Sequence, residues 1–114
     1  MEYPQSVAAS LAAVGGLKGA MEAIPKRTRL RSASDVFQSV ADPIRLSILY
    51  ALSIAPLCVC ALKPIVKIAD SKLSYHLTSL KSAGLIAQRY EGRFKIYSIT
   101  DSGRKIVSLC NDIK

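Results

Sequence analysis

Asp42-Pro43-Ile44-Arg45-Leu46, then Cys58-Val59-Cys60, then Ser74-Tyr75-His76-Leu77 is the stretch whose reading decides the fold. Asp42 is a good N-cap and Pro43 a good first helical residue, so a helix is predicted to begin there. It should bury Leu46, Leu49 and Leu52, with Ile48, and end near Ala55-Pro56. Pro64 restricts Lys63 to extended backbone, so the next helix is expected to start there and to be brief. Asp70 is placed to cap a further helix from Ser71 to about Ala83. In it Leu73, Leu77 and Leu80 make the inward stripe, while Ser71, Lys72, Ser74, Tyr75 and Ser79 are left outward. Gly84 closes this helix as an αL C-cap residue does.

On the C-terminal side, residues 85–90, the turn Glu91-Gly92-Arg93 and residues 94–99 read as a β-hairpin. Phe94, Ile96 and Ser98 alternate with Lys95, Tyr97 and Ile99, the first set being taken as the apolar side. Thr100 caps a last helix marked on one side by Ile106, Leu109, Cys110 and Ile113. On the N-terminal side a short helix through Val36, Phe37 and Val40 stops at Asp42-Pro43. Before it, Val7, Leu11, Val14, Leu17, Met21 and Ile24 recur every three or four positions, the stripe of one amphipathic helix weakened by Gly15-Gly16. Pro25 and the basic run Lys26-Arg27-Thr28-Arg29-Leu30-Arg31 then read as a linker, either simply solvated or an arm that grazes DNA. The chain is therefore divided into an N-terminal extension, 1–31, and a domain, 32–114, that is mostly α with a small β-hairpin. The extension's stripe calls for a partner surface that so short a chain does not offer, so it is assigned to dimerisation.

A chain of 114 residues supports one domain with a modest core, and with half its residues hydrophobic it is not disordered throughout. The net charge of +8 points to a polyanionic partner. From Lys67 to Lys105 eight basic residues face three acids, a net +5 on one stretch. No run approaches the roughly 18 apolar residues of a membrane span. The start, Met1-Glu2 with Lys18 interrupting the apolar run, is unlike a signal peptide, so a cytoplasmic protein without membrane contact is expected. Three cysteines, two of them at C-x-C spacing, suit ligand or redox chemistry better than a structural disulfide framework. No catalytic grouping stands out, so an enzyme is not expected.

From Val36 to Val107 the order and spacing of these motifs resemble the ArsR/SmtB family of winged-helix transcriptional regulators. The resemblance implies a homodimeric winged helix-turn-helix whose first and last helices form the subunit interface and whose partner is double-stranded operator DNA. It makes Ser71-Lys72-Leu73-Ser74-Tyr75-His76-Leu77 the recognition helix, with Ser71, Ser74 and Tyr75 facing the groove. Where family members often carry Gln, Asp70 stands here, and an acid cannot donate to phosphate or adenine. The hairpin resembles the family's wing, with Arg93 at its tip and Lys95 beside it. Ser71, Lys72, Ser74, Tyr75, His76, Arg89, Arg93 and Lys95 are the expected DNA-binding set. The bland alternatives are a solvated amphipathic helix and a solvated charged turn.

Leu57-Cys58-Val59-Cys60 followed by Ala61-Leu62 matches the arsenic- and cadmium-sensing members, and His76 lies at the distance the family expects. Thiolates are soft ligands suited to As(III), Sb(III), Cd(II) or Pb(II). No cofactor is expected in the DNA-bound form; such an ion is the expected inducer. Residues two apart point about 200° from each other on a helix but share a side when extended, so an extended Cys58-Val59-Cys60 presents both sulfurs to one ion, while a helical one must distort. Arsenic sensors often place a third cysteine where Lys63 stands, leaving Cys110 as the candidate third ligand, against its reading as a small buried hydrophobe. A lone His on a helix, such as His76, is more often packed or hydrogen-bonded than a ligand. The last helix holds no His, which excludes the zinc site of the family's other branch. Two alternatives stand beside the metal sensor: a thiol switch pairing Cys58 or Cys60 with Cys110 under oxidant or persulfide, and a winged helix that binds protein instead of DNA.

Overall fold

The computed structural model describes residues 2–113. Contacts divide the chain between Ala33 and Ser34. In the N-terminal unit the expected single helix is two, α1 (Gln5–Ala13) and α2 (Gly16–Ala23). Gly15 and Gly16 both take positive φ, 92° and 75°, a left-handed step that a side chain disfavours and that ends α1 outright. Neither helix buries a residue.

The basic run is not a linker. Arg27 opens α3 (Arg27–Val40), which runs on without a break through the expected short helix. Arginine is a strong helix former, and the apolar positions Val36 and Val40 anchor the far end in the core.

In the C-terminal unit, α4 (Pro43–Ile54) starts as expected: the Asp42 carboxylate accepts from the backbone N–H of Ile44 at 2.8 Å and of Arg45 at 3.1 Å. Ile48, Leu49 and Leu52 are its buried side. A two-residue strand, β1 (Leu57–Cys58), follows, and α5 (Val59–Val66) begins at once, earlier than Pro64 suggested. Pro64 lies inside α5, where its missing N–H leaves one bond unmade. An interior proline costs about 3 kcal/mol, which the full burial of Leu62, about 1.5–3 kcal/mol, largely offsets.

The next helix, α6 (Asp70–Ser82), has Ala69 rather than Asp70 as its N-cap. Asp70 is instead the first helical residue, its acid placed at the positive end of the helix dipole and 2.7 Å from Lys63 Nζ. Leu73, Leu77 and Leu80 are buried as the stripe required. The helix ends in a Schellman turn: Leu85 N–H donates to Leu80 C=O, and Gly84 N–H to Lys81 C=O.

β2 (Ile86–Glu91) and β3 (Phe94–Ile99) form the hairpin, with Glu91 opposite Phe94 and only Gly92-Arg93 between them. β3 is the central strand of an antiparallel sheet ordered β1-β3-β2, with Leu57 opposite Tyr97 and Cys58 opposite Ile96. The inward face of β3 is the reverse of the one expected. Tyr97 is buried and Ile99 packs on the core, whereas Phe94 is exposed. Tyr97 is large enough to fill the space between sheet and helices, which Ser98 is not.

Thr100 caps α7 (Asp101–Asp112) through the N–H of Gly103. Its expected stripe splits: Ile106 packs against the core and Cys110 is half-buried, but Leu109 and Ile113 are exposed, and Val107, outside that stripe, is buried instead. The close approach of α7 needs glycine at 103, where an added Cβ would collide with the Leu85 carbonyl oxygen and the Ile99 side chain. Among the described residues no helix is long and apolar enough to cross a membrane.

Candidate nucleic-acid interface and thiol site

With the leucine stripe of α6 turned inward, Ser71, Lys72, Ser74, Tyr75 and Thr78 are left on the exposed face. Tyr75 is 64% exposed, unusual for an aromatic side chain with a core beside it. Lys81 Nζ donates to Gln88 Oε1 at 3.2 Å, tying the end of α6 to β2. Between helix and sheet lies a polar cavity of about 360 Å³ lined by Ser74, Thr78, Lys81, Ser82, Gln88 and Lys95 among others. Arg89, Arg93 and Lys95 are all exposed on the hairpin. Arg89 stands 4.0 Å from Glu91, and the Arg93 guanidinium lies 5.9 Å from the Phe94 ring centroid.

His76 is the member of the expected set that does not face outward. It is 9% exposed, and its Nδ1 accepts from Arg45 Nε at 2.9 Å. Arg45 also donates through Nη1 to the Ser39 carbonyl at 3.2 Å and lies 5.4 Å from the Tyr75 ring centroid. The sequence reading gave Arg45 no role, though a signal was there. Arg45 occupies the third position of α4, where a cation opposes the helix dipole. Placed there, its guanidinium gains nothing from the helix dipole, which points to a partner outside the helix. Beneath it, the backbone N–H of Arg45, seconded by that of Ile44, holds the Asp42 carboxyl below its ordinary value, with burial working the other way.

The two cysteines of the C-x-C sit on either side of a strand-to-helix junction. Cys58 is the N-cap of α5 with extended φ and ψ of −78° and 164°, and Cys60 is in the first turn. The segment is thus neither wholly extended nor wholly helical, and the change of conformation at Cys58 turns both side chains to one side. Their Cα atoms are 5.2 Å apart, within disulfide range, and the structure joins their sulfurs. Cys110, the other partner considered for a thiol switch, is a half-buried thiol on α7. Among the described residues no three His, Cys, Asp or Glu side chains gather as a metal site. The pair opens instead onto a cavity of about 310 Å³ shared with Val59, Tyr90, Arg93, Phe94 and Lys95, so it lies against the tip of the hairpin and not against α6.

Residues 42–88, from the cap of α4 to the first hairpin strand, match the sequence model of the bacterial regulatory proteins of the arsR family. Over 77 residues the chain is 39% identical to the arsenical resistance operon repressor of Bacillus subtilis (strain 168), covering 67% of this chain and 73% of that protein. The chain belongs to the arsR family. It is also 37% identical over 67 residues to a cadmium resistance transcriptional regulatory protein CadC homolog of Staphylococcus aureus, covering 58% of this chain and 55% of the relative. Its fold matches the homodimeric winged helix-turn-helix DNA-binding domain of a Mycobacterium bovis protein. That match has a TM-score of 0.69 and 26% identity, over 77% of this chain and 84% of that one. As an arsR-family winged helix-turn-helix, the protein is a transcriptional repressor and not an enzyme.

Proposed function

We propose that this arsR-family chain is a homodimeric repressor that grips operator DNA with α6 and the hairpin and releases it when a thiophilic metalloid or metal binds Cys58 and Cys60. In this reading Ser71, Lys72, Ser74 and Tyr75 enter the major groove, where serine hydroxyls suit either base type and Lys suits guanine. Arg89, Arg93 and Lys95 hold phosphate or the adjacent minor groove. The exposed apolar residues of α1, α2 and α7 supply the subunit interface. The observation that carries the sensor half is the thiol pair's position: both sulfurs converge, and the same cavity is lined by Arg93 and Lys95. The names of the arsenical and cadmium resistance relatives support the same effector class.

The donor set fits such a ligand in part. Once reduced, Cys58 and Cys60 offer two soft donors, and an ion needing three takes its last from Cys110 of a partner subunit or from solvent. Seated on the pair, the ion alters the turn that sets the position of Arg93 and Lys95. Release needs only differential binding: a tenfold loss of DNA affinity requires about 1.4 kcal/mol of preference for the DNA-free form.

The nearness of the two cysteines, whose Cα atoms are 5.2 Å apart, also fits a second reading, in which oxidation of the pair is the signal. Two thiols then lose two protons and two electrons to peroxide, which leaves as two waters. One experiment separates the readings. A duplex that the protein selects from a random-sequence pool is bound to reduced protein and titrated in parallel with arsenite, antimonite, cadmium and peroxide. Release by the ions under reducing conditions supports the metal sensor, and release by peroxide alone supports the thiol switch. Binding should also fall steeply with salt as lysines and arginines displace counterions; salt-independent affinity would defeat the DNA reading.

A further inference from the structure

The contacts of Arg45 reach three elements at once. Its backbone N–H bonds the Asp42 carboxylate and so fixes the first turn of α4. Its Nη1 holds the Ser39 carbonyl at the end of α3, and its Nε holds His76 on α6. The guanidinium plane then lies within cation–π range of Tyr75, the most outward aromatic of the helix. His76 and Tyr75 are adjacent on α6, one pointing in and the other out. Arg45 therefore meets α6 on its inward and its outward side at once.

We propose that Arg45 is a positioning residue for sequence recognition: it clamps His76 and Tyr75 so that α6 presents Tyr75 and Ser74 in one orientation, without touching DNA itself. The proposal rests on the reading of α6 as the recognition helix. Arg45 is half-buried, with two of its donors committed to protein acceptors, so it is poorly placed to reach a phosphate. Geometry matters here more than charge. Arginine supplies a rigid fork that reaches Ser39 and His76 together while its charge lies near the Tyr75 ring; lysine, a single flexible ammonium, cannot do all three. Accepting a bond at Nδ1 also fixes the His76 tautomer, with the proton on Nε2.

The full chain as Arg45→Met and Arg45→Lys tests this, with folding checked by circular dichroism. Two probes are used: a duplex selected by the wild-type protein from a random-sequence pool, and an unselected duplex of the same length. Both variants are expected to lose about tenfold in the ratio of selected to unselected affinity while keeping the wild-type salt slope. A salt slope lowered by about one phosphate on both duplexes would make Arg45 a direct DNA contact and overturn the proposal. Full rescue by Arg45→Lys would likewise overturn it, since charge would then suffice. Failure of the wild type to select any duplex would defeat the recognition-helix reading. A selective wild type with an unchanged ratio in Arg45→Met would defeat the positioning role alone. The free protein gives an independent readout, because His76 is the sole histidine and its ring nitrogens are a single NMR probe. Wild type should show Nδ1 unprotonated, and Arg45→Met a shift toward a mixture of tautomers; a wild-type proton on Nδ1 would exclude the clamp.

Discussion

Leu17 and Leu49 both belong to apolar stripes of helical spacing, yet Leu17 is 52% exposed and Leu49 is fully buried. The N-terminal unit has periodicity without a core; the C-terminal unit has both. An apolar stripe records that a helix needs a second surface and is silent about which chain supplies it. In the C-terminal unit the second surface is the rest of the fold. In the N-terminal unit we assign it to another subunit.

The largest expected effect sharpens this contrast directly. Leu49→Ala should destabilise the C-terminal unit by about 2–5 kcal/mol in urea unfolding, from lost transfer energy and the cavity left behind. Gly103→Ala comes next, at about 1–3 kcal/mol. Its Cβ would press on the Leu85 backbone carbonyl and on Ile99, forcing α7 away from the sheet. By comparison, removing residues 1–25, which takes α1 and α2 and spares α3, should leave unfolding of the C-terminal unit within about 0.5 kcal/mol of wild type. The truncated dimer should nevertheless dissociate more readily on dilution, followed by sedimentation. Unchanged dimer affinity would break the assignment of α1 and α2.

Asp42→Ala should have the smallest effect of the three substitutions, about 1 kcal/mol, from the lost cap. Its pH dependence has a defined sign. The folded carboxyl titrates below its ordinary value of 3.8, so its contribution is present above that pH. It is lost as pH falls through the lower folded value; urea midpoints across the acid range check this.

What could be read in advance follows the same division between local and distant causes. Asp42-Pro43, the Leu73/Leu77/Leu80 stripe, Gly84 and the Thr100 cap act within a few residues of themselves, and each was legible. β1 is two residues long, too short for any period to show. Both faces of β3 alternate acceptably, and only the packing of Tyr97 decides between them. Pro64 argued against a helix that the burial of Leu62 secures. At the candidate site, Ser71, Lys72, Ser74 and Tyr75 are exposed as expected. The link from Arg45 to His76 spans 31 positions and leaves no local pattern. Likewise, the meeting of the thiol pair with Arg93 and Phe94 depends on the pairing of Cys58 with Ile96, a register no periodicity encodes.

The most direct measurement of the central claim is release of the selected duplex by arsenite from reduced wild type and from Cys58→Ser/Cys60→Ser. Serine keeps the size of the thiol but is a hard, poor ligand for soft ions. Both proteins should bind the duplex alike before arsenite is added, because neither cysteine lies on α6. The account then predicts at least a tenfold loss of affinity for wild type and none for the variant. Release of the double variant at the same arsenite concentration as wild type would contradict it.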